Sequence, residues 1–125
     1  MCEANIIPFQ FHQLFYNLIN NALKFSKPNV PPYITVKSTI ITGTSSPFYP
    51  KRACKISIAD NGIGFDKQFS ERIFGVFQKL HGKHEYAGTG IGLAIVKKIV
   101  ENHNGIITAE SELGNGATFI IYLPE

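Results

Sequence analysis

Twice along this chain the three- and four-residue apolar spacing of a helix gives way to the alternation of paired strands. From Phe11 to Phe25 the apolar residues Phe11, Leu14, Phe15, Leu18, Ala22 and Phe25 recur at helical intervals, which predicts a helix with one buried face. Lys27-Pro28-Asn29 and the Pro31-Pro32 pair end it, because proline cannot continue a helix and restricts the residue before it. Tyr33–Thr42 and Lys55–Ala59 are rich in β-branched residues that alternate at Ile34, Val36 and Ile40, and again at Ile56 and Ile58. They are expected to pair, joined by an exposed hairpin loop from Gly43 to Ala53 that holds Gly, Ser and two prolines. Helical spacing returns from Ile91 to His103 through Leu93, Ile95, Val96, Ile99 and Val100, and stops at Asn104-Gly105, a left-handed cap pair. Ile106–Glu110 and Ala117–Leu123 are two further strands around the turn Gly114-Asn115-Gly116. This order predicts a single α/β domain over residues 1–125, of the α+β two-layer type. A mixed, mainly antiparallel sheet would be covered on one face by helices.

A chain of 125 residues, 44% of them hydrophobic, is large enough for one real core. The net charge of +3 is modest, and Lys51-Arg52 and Lys97-Lys98 are the only adjacent basic pairs, so no nucleic-acid partner is expected. Cys2 and Cys54 lack a metal spacing and are too few for a disulfide framework; they fit a reducing, cytoplasmic setting. The N-terminus lacks a basic segment followed by an apolar run, and no stretch approaches the ~20 apolar residues that span a bilayer. The domain is expected to be cytoplasmic and monomeric, and a parent protein anchored in the inner membrane is compatible with that.

Three groups of residues carry chemistry. On the first helix Asn17, Asn21 and Lys24 are spaced i, i+4, i+7, so at ~100° per residue they fall in a stripe about 60° wide beside the apolar face. An Asn carbonyl oxygen is a hard ligand suited to Mg²⁺, and a lysine one turn away can reach a phosphate that the metal also holds. The plainer alternative is a solvated helix edge. Asp60-Asn61-Gly62-Ile63-Gly64 follows a strand directly, and glycines there let the backbone turn sharply and approach a flat ligand. A carboxylate at Asp60 can accept from an exocyclic amine; adenine offers that donor at N6, whereas guanine presents an oxygen. Ordinary Asx-turn chemistry is the alternative. Gly88-Thr89-Gly90-Ile91-Gly92-Leu93 opens the second helix, where unpaired N–H groups and the positive helix end can hold an anion. Its spacing is neither a dinucleotide fingerprint nor a P-loop, and a flexible linker is the alternative.

In this order the segments resemble the ATP-binding superfamily shared by histidine kinases, type II topoisomerases, a heat-shock chaperone and mismatch-repair ATPases, with the histidine kinase branch much the closer. Phe15-Tyr16-Asn17-Leu18-Ile19-Asn20-Asn21-Ala22-Leu23-Lys24-Phe25 resembles that family's N box, and Asp60 to Gly64 its first glycine box. Ile73-Phe74-Gly75-Val76-Phe77 resembles its phenylalanine box, Gly88 to Leu93 its second glycine box, and Gly114-Asn115-Gly116-Ala117 its last. The match runs from about residue 10 to residue 124. The resemblance implies Asn21 as the Mg²⁺ ligand with Asn17 beside it, Lys24 as a phosphate contact, and Asp60 as the adenine-reading carboxylate. Gly62 and Gly64 would allow close approach; Gly88, Thr89, Gly90 and Gly92 would line the phosphate side, and Leu93 would pack near the base. Lys79 stands where many members carry an arginine to the terminal phosphate, which keeps the charge but loses the planar fork. Phe25 stands where tyrosine is frequent, and His81 to Ala87 would form a lid over ATP. The chain starts about ten residues before the N box, so an N-terminal strand often present in such domains is expected to be missing.

Kinase and ATPase chemistry divide at one position. The ATP-hydrolysing relatives resemble one another in using a glutamate, four residues before the metal-binding Asn, to activate water. Here Asn17 occupies that position, and an amide takes no proton. Neutral imidazole has its own lone pair and needs no strong base, so a histidine acceptor is compatible with Asn17. None of His12, His81, His84 and His103 begins the His-Glu-hydrophobic-basic-x-Pro pattern of the family's phosphoacceptor, and all four are expected on the surface. The resemblance therefore implies the nucleotide half of a sensor histidine kinase, whose partners are a separate dimerisation and phosphoacceptor domain and, downstream, a response regulator. An ATP-hydrolysing relative and a non-catalytic nucleotide-sensing module are the competing readings.

Overall fold

The computed structural model describes residues 6–65, 72–74 and 89–125, with the backbone alone for residues 72 and 89–91. Lys79, Gly88 and the expected lid from His81 to Ala87 lie outside the described residues, as do Gly75, Val76 and Phe77.

Helix α1 spans Pro8–Lys24 and starts three residues earlier than the apolar spacing alone implies. Pro8 explains the extension, because a proline at the first helical position sacrifices no hydrogen bond and brings a helical φ with it. Phe11, Leu14, Leu18 and Ala22 form its buried face. Strands β1 (Ile34–Ile41) and β2 (Ala53–Asp60) pair antiparallel from Ile34↔Asp60 to Ile41↔Ala53. Their connection contains a 3-10 turn at Gly43–Ser45 and is not wholly exposed: Ser46 is buried, its hydroxyl donating to Lys51 O at 2.7 Å and accepting from Phe48 N at 3.1 Å. Helix α2 spans Thr89–Asn102, so Thr89 to Leu93 of the second glycine segment belong to its start. It closes on Asn104, whose φ of 60° takes the left-handed position, with Asn104 N–H on Glu101 O at 3.0 Å and Gly105 N–H on Val100 O at 2.9 Å. Strands β3 (Ile106–Ser111) and β4 (Ala117–Pro124) complete a sheet of order β1-β2-β4-β3, in which every pairing of the described strands is antiparallel.

Register decides which face is the core. Residues that pair across strands share a face, so Cys54 and Leu123 lie on the same side as Ile58, Phe119 and Ala109, and as Ile121 and Ile107. Those residues cluster with Phe11, Leu14 and Leu18 of α1 and with Leu93, Val96, Ile99 and Val100 of α2, which places both helices on that one face. Thr35, Lys37, Thr39, Lys55, Ser57 and Glu110 alternate onto the other, as period-2 patterning requires. The result is the two-layer α/β sandwich expected from the element order.

One expectation is corrected. His103 is buried rather than on the surface. Its Nε2 accepts the Ile7 N–H at 2.9 Å, its Nδ1 lies 2.8 Å from Ile99 O, and its ring meets Phe11 edge-on at 4.7 Å between centroids. With Nε2 accepting, the proton sits on Nδ1 and is donated to Ile99 O. Apolar spacing missed this residue because its burial comes from polar work at a helix end: it satisfies one of the N–H groups that the start of α1 leaves unpaired. Cys54 is buried in the core.

His103→Ala is expected to lower the unfolding free energy by about 2–3 kcal/mol, from one buried and one part-buried hydrogen bond and the ring contact. Urea unfolding checks this, and a change below about 0.5 kcal/mol, the range of ordinary surface substitutions, would contradict it.

Candidate functional site

The helix periodicity that buries Leu14 and Leu18 turns Asn17, Asn21 and Lys24 to the side of α1 that faces the start of α2. There a cleft of about 530 Å³ is lined, among the described residues, by Asn17, Asn20, Asn21, Leu23, Lys24, Gly92 and Leu93. That volume is typical of a small-ligand site. Asn20 was missed by the sequence reading although its angle was legible, since three residues from Asn17 and four from Lys24 put it on the same side of the helix. Gly92 has a defined part in the cleft: a Cβ there would meet nothing within 4 Å among the described residues, which leave open space at this point of the wall.

A second recess adjoins the cleft and shares Asn21 and Leu93 with it. Its other described lining residues are Phe25, Asp60, Gly64, Phe65, Ile73, Ala117 and Phe119. Its volume of about 20 Å³ has room for about one water. Ile73 and Phe74 form a 3-10 turn with Arg72 and are both buried, Phe74 meeting Phe119 at 6.1 Å between ring centroids.

Asp60 ends β2, between Ile34 of β1 and Ala117 of β4. Its Oδ1 accepts the Gly62 N–H at 2.8 Å. Burial pushes its carboxyl above the usual carboxylate range, and backbone N–H groups of Gly62 and Ala117 pull partly back. The charge is therefore held at some cost, with acceptor capacity on a carboxylate that lines an apolar recess.

The glycines around Asp60 have a partner within the chain itself. A Cβ on Gly62 would stand 2.4 Å from Phe25 O, and one on Gly64, at φ +69°, 2.3 Å from Glu112 O. A Cβ on Gly116, at φ +78°, would stand 2.0 Å from Asp60 O. Real Cβ atoms do not come that close, so the backbone that approaches these glycines is the chain's own. Three segments are packed main chain against main chain around Asp60 and tied by Ile63 N–H on Phe25 O at 2.9 Å and Gly114 N–H on Ile63 O at 2.7 Å. Ser111 Oγ accepts the Phe65 N–H at 2.8 Å and donates to Gly116 O at 2.5 Å. Gly62 lines neither cavity with the other described residues; its contribution is the N–H on Asp60.

Two buried polar atoms face this region with no hydrogen-bond partner among the described residues, Asn21 Oδ1 and Asn17 Nδ2. A buried amide oxygen without a donor costs about 1–3 kcal/mol unless something satisfies it. Asn21 Oδ1 is a hard oxygen donor on the cleft wall and fits a magnesium ion; the buried atom of Asn17 is a nitrogen, which suits a phosphate oxygen instead. No group of three or more His, Cys, Asp or Glu side chains that could hold a metal occurs among the described residues.

Linkage turns the Asp60 shift into a test. Below the ordinary value of 3.8 the carboxyl is protonated in both states; between that and its raised folded value the folded state holds more protons, so stability falls as pH rises through the window. Above it the penalty is fully expressed. Asp60→Asn keeps an acceptor for Gly62 and removes the charge, so its urea midpoint relative to wild type is expected to be higher at pH 7 than at pH 4. The same offset at both pH values would contradict the assignment.

Residues 7–125 match the family described as histidine kinase-, DNA gyrase B- and HSP90-like ATPase. The chain is 47% identical over 115 residues to cyanobacterial phytochrome A of Nostoc sp. (strain PCC 7120), covering 92% of this chain but 14% of that protein. The catalytic domain of histidine kinase ThkA superposes with a TM-score of 0.70 at 27% identity, covering 97% of this chain and 71% of that one. Full-length ShkA in complex with AMPPNP superposes with a TM-score of 0.69 at 26% identity, covering 92% of this chain and 21% of that one. The chain belongs to the histidine kinase-, DNA gyrase B- and HSP90-like ATPase family.

Proposed function

We propose that this chain is the ATP-binding catalytic domain of a two-component sensor histidine kinase, positioning Mg-ATP for transfer of its γ-phosphate to a histidine on a separate dimerisation domain. One observation carries the reading most. The cleft between α1 and the start of α2 adjoins the recess of Asp60 and shares two lining residues with it, so an amide-and-lysine end and a carboxylate end lie side by side.

Each end does what its chemistry allows. Asp60 accepts the N6 amine of adenine, and Leu93, 3% exposed, packs beside the base. Admitting a purine to a recess of about 20 Å³ requires neighbours such as Phe65 and Ile73 to move, so base binding is coupled to a local opening. Asn21 Oδ1 holds magnesium, which when bound neutralises phosphate charge and aligns the terminal phosphoryl group. Asn17 donates to phosphate oxygen, and Lys24, exposed at the end of α1, supplies a flexible positive charge. Gly92 keeps the wall open, and the first turn of α2, from Thr89 and Gly90, offers backbone N–H groups. The family resemblance adds Gly88 to that turn and Lys79 as a further phosphate contact. With an amide at Asn17 where a hydrolase needs a base, the domain binds, orients and screens charge while the nucleophile comes from elsewhere. The four histidines supply none in the family's pattern. The partners are the parent's phosphoacceptor domain and a response regulator. No helix among the described residues is long and apolar enough to cross a membrane, and the domain is read as working in the cytoplasm beneath a sensor that is free to be membrane-anchored.

Calorimetry is expected to show Mg-dependent ATP binding that is lost in Asp60→Ala, and unchanged affinity in that variant would sink the assignment. Gly92→Ala separates site from scaffold: helix propensity should raise stability by up to about 1 kcal/mol while ATP affinity falls at least about tenfold, because the methyl enters the cleft. A variant that is more stable and binds ATP as wild type does would remove Gly92 from the site. Mixing the chain with its parent's phosphoacceptor domain and ATP should place acid-labile phosphate on that domain; none at saturating ATP would favour a nucleotide-sensing module.

A further inference from the structure

The β1–β2 ladder ends at Ile34↔Asp60, and continuing its register would pair Tyr33 with Asn61. The main chain does not make that rung. Instead the side-chain amide of Asn61 bridges the other strand's entry, its Oδ1 accepting the Tyr33 N–H at 2.8 Å and its Nδ2 donating to Pro31 O at 3.1 Å. A primary amide carries one acceptor and one donor in the geometry of a peptide group, so Asn61 substitutes for a strand residue with its side chain. The main chain after Asp60 is thereby released to turn, and it turns into the site: Gly62 N–H goes to the Asp60 carboxylate and Ile63 N–H to the carbonyl of Phe25, just past the end of α1.

The segment that Asn61 holds is the connection between α1 and β1. It contains Pro28, Pro31 and Pro32, which have no N–H to give, and Asn29 at φ 61°. Ser26 N–H and Oγ–H bond to Leu23 O of α1, and Val30 N–H to Lys27 O, all upstream of Pro31. Among the described residues the second half, next to β1, is fastened through Asn61. One end of this connection carries Asn17, Asn21 and Lys24 on α1, and the other enters the strand that pairs with Asp60.

We propose that Asn61 is a positioning residue of the nucleotide site: by closing the α1–β1 connection onto the turn after β2, it fixes the spacing between the base-reading carboxylate of Asp60 and the magnesium- and phosphate-holding side chains of α1. The inference rests on the nucleotide reading above and goes beyond it, because Asn61 itself touches no ligand in this scheme. Its loss should be felt by a ligand that spans both ends of the site and not by one that occupies the base end alone.

The experiment compares wild type with Asn61→Ala by NMR titration with adenosine and with Mg-ATP, at a temperature where circular dichroism shows both folded. Mg-ATP affinity is expected to fall about tenfold, the scale of one lost hydrogen bond, with adenosine affinity within about twofold of wild type. Asn61→Ser, which keeps one short hydroxyl and adds no charge, provides the same comparison if the alanine variant does not fold. A purely structural role would lower the melting temperature and leave both affinities of the folded protein alone. That outcome, or equal weakening of both ligands, would overturn the proposal. A wild-type chain that binds neither ligand would remove the nucleotide reading itself, and the positioning role with it.

Discussion

The carbonyl of Phe25 accepts the Ile63 N–H at 2.9 Å and stands where only a glycine at position 62 leaves room for it. This contact joins the end of α1 to the turn that follows β2, and the two cavities adjoin each other there, sharing Asn21 and Leu93. On the far side of Asp60 the same turn is pressed against Gly116 and bonded to Gly114, so the aspartate is gripped between two main-chain approaches. A fixed carboxylate with a raised proton affinity results, set within reach of a row of amides whose own positions follow from helix geometry.

Much of this was legible in the sequence because it obeys a period. The apolar faces of α1 and α2, the four strands and their pairing in hairpins follow from spacings of three, four and two, and the helix stop at Asn104 from left-handed cap chemistry. The polar row of Asn17, Asn21 and Lys24 was legible for the same reason, since a helix wheel places it beside the buried face before any tertiary contact is known.

What escaped depends on contacts between segments far apart in sequence. His103 sits at the end of an amphipathic helix and reads as a surface residue; its burial arises from the Ile7 N–H, 96 residues away. Asn61 looks like a turn residue between Asp60 and Gly62, and its two bonds span 28 and 30 residues. The glycines are read from sequence for their backbone freedom, and a further use of that freedom, close packing of main chain on main chain, appears only in the fold. Gly62, Gly64 and Gly116 admit the chain's own carbonyls, whereas Gly92 leaves open space in the cleft wall. Sequence shows where a side chain is missing and not what fills its place. The size of the Asp60 recess belongs to the same class, being set by Phe65, Ile73 and Phe119 from three separate segments.

The central claim is that one ligand touches both ends of this site at once. A crystal structure of the chain with Mg²⁺ and a non-hydrolysable ATP analogue tests it most directly. The account predicts the adenine N6 within hydrogen-bonding distance of the Asp60 carboxylate, the metal on Asn21 Oδ1, and the phosphates between the start of α2 and the Asn17–Lys24 face of α1. A nucleotide bound with its base away from Asp60, or a metal held without Asn21, would contradict it.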